Sequence, residues 1–387
     1  MAGPLEGVTV LDLSSVGPAS RSTRLLADYG ATVVKVGPVP GRGHDAIVPA
    51  FWAYSGHRGM QRIHLDVRDP AGREAFLALA ARADVVVESF RPGVVDRLEI
   101  GYEAVRAVNP AVVYCSTTGF GQTGPRASWA GHDIDYLAVG GYLASTEPRA
   151  DGGPPVPGAT IADAAAGGMQ AALAVTAALA GRGRTGEGAY LDVSVADGVL
   201  WLMSLQADEH LATGADPGPG HDILTGRYAC YGTYRAADGR WLAVGAIEPK
   251  FYANLCRALD CAQWIDHQGD DAVQDRIRAD FAAAFARRDR DDWVEELAGA
   301  DTCLAPVQTV AEATADPQFA YRGAVVEAKE DATGTFRQLG PILAGMPPTL
   351  GTVAVRPADV TDTDELLAGA GLDPAAVAEL RQRGVVA

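Results

Sequence analysis

The sequence has no surplus of basic residues: 32 lysines and arginines stand against 49 aspartates and glutamates, a formal net charge of −17. Such a chain has little with which to neutralise a phosphate backbone, so nucleic acid is not an expected partner. A small polyanion remains open where arginines gather locally. Cysteine is scarce and scattered. Positions 115, 230, 256, 261 and 303 form no CxxC pair, which argues against a disulfide framework or a zinc site and predicts reduced thiols in a cytosolic protein. The stretch MAGPLEGVTV has neither a basic segment nor an apolar core, RQRGVVA carries no peroxisomal tripeptide, and no apolar run reaches spanning length. The expectation is a cytoplasmic protein without a membrane partner. The dinucleotide fingerprint is missing as well: SSVGPAS follows the first strand, with Gly17 before Pro18 where GxGxxG would stand, so an NAD enzyme is disfavoured.

What is present is a globular composition, 48% hydrophobic and 21% charged over 387 residues, enough for two cores. The first part alternates strand and helix. Apolar runs at 8–13, 31–36, 62–67, 84–89 and 111–117 predict strands, with helices over 20–30 and 70–82. Strand–helix–strand units of this length predict parallel pairs and an open α/β sheet of Rossmann type. ATIADAAAGGMQAALAVTAALA (159–180) predicts a long helix whose small residues permit close packing, followed by a strand and a helix to about 212. TGADPGPGHD (213–222) reads as a linker. Beyond it, Asp238-Gly239 marks a hairpin, and helices are expected at 249–259, 271–287 and 290–299. The expected division is a large Rossmann-like domain over 1–190 completed by 330–387, a linker helix and loop over 191–221, a small α+β domain over 222–320, and a return linker over 321–335.

Three ionisable residues sit in surroundings unsuited to a solvated surface: His132 in AGHDIDYLAVGG, Asp163 in GATIADAAAGGM, and Glu248 in AVGAIEPKFY. Each alone has a plainer reading, as a helix start or a dipole-stabilised carboxylate; together a histidine with two carboxylates suits acid–base chemistry. Arg91 in ESFRPG, Arg97, and Arg58, Arg62 and Arg68 lie near strand ends, where guanidinium groups suit a phosphorylated ligand.

The stretches PLEGVTVLDLSSVGP, LLADYGATVVKV, ESFRPGVVDRLEIGYE, STTGFGQTGPRASWAGHDIDYLA, GEGAYLDVSVADG, YRAADGRWLAVGAIEPKFY and LAPVQTVAEATADPQF, between residue 4 and about 320, resemble the family III CoA-transferase superfamily and, within it, the α-methylacyl-CoA racemases. The resemblance implies an acyl-CoA ligand, no separate cofactor because CoA is part of the substrate, no metal, and a homodimer of two interlocked rings. It implies that Asp163 is the transferase nucleophile position, and that His132, Asp163 and Glu248 together match the racemase set. In that reading His132 and Asp163 serve opposite faces of the α-carbon, Glu248 orients the imidazole, and the backbone N–H of Asp163 meets the enolate. CoA and acyl contacts are implied at Asp66, Val67, Arg68, Ser89, Phe90, Arg91, Arg97, Gly131, Asp133, Ile134 and Tyr136. The chain departs from the racemase pattern at Pro38, near which Arg42 is the available arginine, at His57 and Met60 in HRGMQR, and in DAAAGGM after Asp163. A CoA-transferase acting through Asp163, and a CoA- or nucleotide-binding protein without catalysis, are the competing readings.

Overall fold

In the computed structural model the described residues are 3–41, 56–331, 333–341, 344–346, 351–357 and 359–387. Six parallel strands form one sheet: β1 (Thr9–Asp12), β2 (Thr32–Gly37), β3 (Gln61–His64), β4 (Val85–Glu88), β5 (Val113–Thr118) and β6 (Ala189–Ser194), in the order β3-β2-β1-β4-β5-β6. This is the doubly wound order, in which the chain reverses direction between β1 and β4 and leaves a crevice beyond their carboxyl ends. The strands read as continuous apolar runs because both faces are covered. Leu11, Val34, Val86 and Tyr114 enter one core with Phe76 of the helix Pro70–Ala80, and Val10, Val33, Val85 and Val113 enter the other with Ala19 and Leu26.

The chain divides into two units, one of residues 1–142, 156–204 and 317–387 and one of residues 143–155 and 205–316. The boundary expected at 190 falls inside β6, and residues 195–202 form a helix that belongs to the first unit. The segment 321–335, expected to be a linker, instead carries β10 (Val325–Glu330) and the start of its antiparallel partner β11 (Gly334–Leu339), because its alternating side chains bury every second residue. The second unit is a three-stranded antiparallel sheet of β7 (Tyr231–Arg235), β8 (Trp241–Gly245) and β9 (Leu304–Pro306), with Tyr252, Phe281, Phe285 and Trp293 of its helices in the core.

The long alanine-rich segment is not uniformly α-helical. Ala162–Met169 is a π-helix, continued as an α-helix over Gln170–Thr185. The π-helix is closely packed at glycines: a Cβ on Gly167 would come within 2.6 Å of Pro18, and one on Gly198, in the helix Val195–Leu202, within 2.2 Å of the Ala166 carbonyl. The joined helix Ala162–Thr185 is long and apolar enough, by length and composition, to cross a membrane. This corrects the reading that no segment reaches that length. Ala171, Ala172 and Val175 are buried in the core that covers one sheet face.

Beneath the turn that follows β1, Asp12 is fully buried and paired with Lys35 Nζ at 2.8 Å. Asp12 also accepts from the Ser14 amide at 2.8 Å and from the Thr23 hydroxyl. Lys35→Met removes the only ammonium in this group and leaves a buried carboxylate without its cation. A loss of about 3 kcal/mol in stability is expected, read as a lower denaturant midpoint; an unchanged midpoint would assign the balance to the hydroxyl and amide donors alone.

Candidate active site

A cavity of about 650 Å³ opens at the carboxyl ends of β1, β4 and β5, where the strand order reverses. Val16, Gly17 and Pro18 line it from the turn after β1, Ser89 to Pro92 from the turn after β4, and Thr117 to Gly119 from the end of β5. His132 and Asp163 both line it. His132 is the N-cap residue of the helix Asp133–Val139, and its backbone N–H donates to Asp135 Oδ2 at 2.9 Å, which fixes the start of that helix. Asp163 is half-buried in the first turn of the π-helix, an irregular turn of the kind found at functional sites. A Cβ on Gly17, whose φ is +88°, would stand 4.0 Å from Asp163 Oδ2. The glycine is thus required by its backbone conformation and leaves open space in front of the carboxylate.

Burial raises the Asp163 carboxyl above its ordinary range, and Asp133 adds to this, while Arg21 and His132 oppose it. The imidazole therefore lies close enough to act electrostatically on the carboxyl across the same cavity. Tyr136 lines the same cavity. Its hydroxyl donates to the Gly131 carbonyl at 2.5 Å, and burial pushes its phenol up to about 12, so it stays protonated. A side chain at Gly119 or Gly131 would collide with the Tyr136 ring, at 2.4 and 2.8 Å. Trp129, also in the lining, stands edge-on to Phe120 at 5.9 Å with Arg126 over its face at 5.1 Å.

Of the ligand contacts expected from the sequence, Ser89, Phe90, Arg91, Gly131 and Tyr136 line the cavity. Asp133 does not. Its Oδ1 accepts the Asp163 backbone N–H at 2.8 Å, which also engages the amide expected to meet the enolate. Ile134 is exposed on the helix surface and Arg97 is exposed on the short helix Val94–Arg97. Asp66, Val67 and Arg68 follow β3, away from this lining, where Asp66 takes up the Arg68 guanidinium at 2.8 Å and its amide donates to the Val385 carbonyl. Arg58 and Arg62 are buried structural residues, bound to Gln338, Leu339 and Asp28 and to the Pro357 carbonyl. A guanidinium is recognisable in sequence, but the direction it faces is not. Met60 is buried and His57 half-buried in the same stretch, the imidazole held down at about 4 mainly by burial of its ring. The Pro38 carbonyl contacts His64 Nδ1 at 2.8 Å, and Arg42 lies outside the described residues. Glu248 caps the helix Pro249–Ala258 in the second unit, with its side chain exposed. The sequence reading missed Gly17, Thr118 and Trp129; SSVGP and STTG, each directly after an apolar strand, were the available signals.

Known proteins resemble this chain over most of its length. A family model described as CoA-transferase family III matches residues 5–357. An alpha-methylacyl-CoA racemase from Homo sapiens is 35% identical over 328 residues, covering 84% of this chain and 83% of that protein. An acetyl-CoA:oxalate CoA-transferase from Acetobacter aceti is 31% identical over 343 residues, covering 84% and 86%. A solved structure of a CAIB/BAIF family protein from Brucella suis, 28% identical, superposes with a TM-score of 0.77 over 96% of this chain and 100% of that one.

Proposed function

This chain belongs to CoA-transferase family III, and from that premise we propose that it is a racemase interconverting (R)- and (S)-2-methylacyl-CoA thioesters. The observation that carries this reading is the pairing of His132 and Asp163 on one cavity. Inverting a carbon next to a thioester carbonyl needs one group to take the α-proton and another to return a proton to the opposite face. The C–H electron pair moves into the thioester as an enolate, and reprotonation regenerates the carbonyl. An imidazole and a half-buried carboxyl are two different proton carriers, each able to serve as base for one enantiomer and acid for the other. Burial of Asp163 brings its proton affinity toward the working pH. The racemase relative at 35% identity favours the same reading. No metal or redox group has a part in these steps.

Glu248 and the homodimer come to this reading through resemblance. For the dimer there is also a physical argument: Met169, Leu173, Leu200 and Trp201 of the first unit are exposed, Trp201 at 74%, which suits a covered surface. The second reading is a CoA-transferase in which Asp163 is the nucleophile, favoured by the transferase relative at 31% identity over a similar span. Incubating one enantiomer of a 2-methylacyl-CoA in D2O without any acceptor acid separates the two. Deuterium at the α-carbon with epimerisation supports the racemase; turnover only when a second carboxylate is added overturns it.

Arg91 lines the cavity and is exposed, so its guanidinium is available to a CoA phosphate. Arg91→Ala should raise KM about tenfold, the worth of one charge-assisted hydrogen bond, with kcat little changed because ground and transition states share the contact. Unchanged KM and CoA affinity would return Arg91 to the protein surface.

A further inference from the structure

Glu88 is the last residue of β4 and is 1% exposed. Sheet register sets it beside Ser116 of β5, and Ser116 beside Asp192 of β6. Residues in register on parallel strands share a face, so a row of Glu88, Ser116 and Asp192 crosses the carboxyl edge of the sheet. Each acid holds a loop. Glu88 Oε2 accepts the Phe90 N–H at 2.7 Å, and Asp192 accepts the Gln122 N–H at 3.0 and 3.1 Å. The Phe90 turn is the one that presents Ser89 and Arg91 to the cavity. The other Glu88 oxygen, Oε1, is buried and makes no well-aligned hydrogen bond among the described residues, although the Ser116 hydroxyl is near enough to act on the carboxyl. Such an atom costs free energy, and the site needs a reason for it.

We propose that Glu88 is a positioning residue for the CoA ligand, fixing the Ser89–Pro92 turn through the Phe90 amide and carrying a proton on Oε1 when the ligand is held. This rests on the CoA reading above. A protonated Glu88 keeps one oxygen as acceptor for Phe90 and carries its proton on the other, beside Ser116, so that it adds no charge behind the turn. An ionised Glu88 sets a negative charge behind the turn that meets a polyanion. Burial pushes the carboxyl up to about 7; Ser116 and the Phe90 amide oppose this, and Asp96 and Asp192 reinforce it. The titratable groups facing Glu88 are Asp96 of the helix Val94–Arg97, Tyr114 and Cys115 of β5, and Tyr190 and Asp192 of β6. Deprotonation therefore falls in the neutral range and adds a negative charge beside Asp96 and Asp192.

The test is CoA binding to the full chain by calorimetry at pH 6 and pH 8, with Glu88→Gln and Glu88→Ala beside the unaltered protein. CoA's own phosphate titrates in this range, so the readout is the ratio of unaltered protein to Glu88→Gln at each pH. Glu88→Gln keeps the acceptor for Phe90 and is neutral throughout. The ratio of affinities is expected near one at pH 6 and to fall several-fold by pH 8, and Glu88→Ala to bind about tenfold more weakly at both. A ratio that does not change with pH overturns the proposal even if Glu88→Ala fails to fold. Failure of the unaltered protein to bind CoA overturns the CoA reading itself, and this inference with it.

Discussion

Asp163→Ala is expected to lower turnover by about 10³- to 10⁴-fold, the range for losing a positioned proton carrier or nucleophile, while CoA affinity stays within a few-fold. The carboxyl acts at the reacting carbon, whereas Ser89 and Arg91 belong to a different element of the lining, the turn after β4, so chemistry and binding are expected to separate. Asp163→Asn should be nearly as severe, because an amide keeps the volume and cannot exchange a proton or form an acyl intermediate. Steady-state kinetics with parallel CoA calorimetry reads both effects. Turnover within tenfold of the unaltered protein would remove Asp163 from either reaction. The pH profile gives a finer reading. Burial and the neighbouring Asp133 hold the Asp163 carboxyl above its ordinary range, so activity that needs its basic form falls on acidification at a pH above that of a free carboxylate. Asp133→Asn removes one like charge while keeping an acceptor for the Asp163 amide. It should shift that acidic limb to lower pH.

The sheet was legible in the sequence because each strand is a short apolar run closed by a turn. TVLD, TVVKVG and VVVE are buried on both faces, so nothing in them alternates. The π-helix was not legible. It lies where Gly167 and Gly168 closely approach the helix that begins at Pro18 and where Gly198 closely approaches Ala166. Composition records only that small residues are there. His132 and Asp163 were readable as misplaced ionisable groups because their neighbours are apolar or small. Ligand-facing arginines were not readable as a class. Arg91 and Arg58 look alike in sequence, yet one follows β4 into the cavity while the other turns inward to Asp28 and Gln338. The division into units was only partly legible: the large domain was expected to end at 190, inside β6, whereas the chain leaves the first unit at Ser204, between that point and the conspicuous proline–glycine stretch at 213–222, without compositional warning.

His132→Ala divides the two proton transfers. If His132 and Asp163 serve opposite faces of the α-carbon, the variant should lose epimerisation by about 10²- to 10⁴-fold. One enantiomer should still exchange its α-proton with solvent, because Asp163 can remove and return a proton on its own face. The other enantiomer should be silent, since its proton points toward the missing imidazole. His132→Gln should behave alike, keeping volume and hydrogen bonding but no proton carrier near neutral pH. The N-cap role of His132 rests on its backbone N–H bonded to Asp135, which both variants retain, so the helix Asp133–Val139 should persist and a loss of activity will not be a loss of structure. If Glu248 partners the imidazole as the racemase resemblance implies, Glu248→Gln is expected to be milder, moving the pH–rate profile rather than abolishing exchange. Proton NMR in D2O, run separately on each enantiomer of a 2-methylacyl-CoA, reads all of this. Epimerisation at the unaltered rate in His132→Ala would take His132 out of the reaction and overturn the two-base assignment, because the proton on its face of the α-carbon would then be carried by another group.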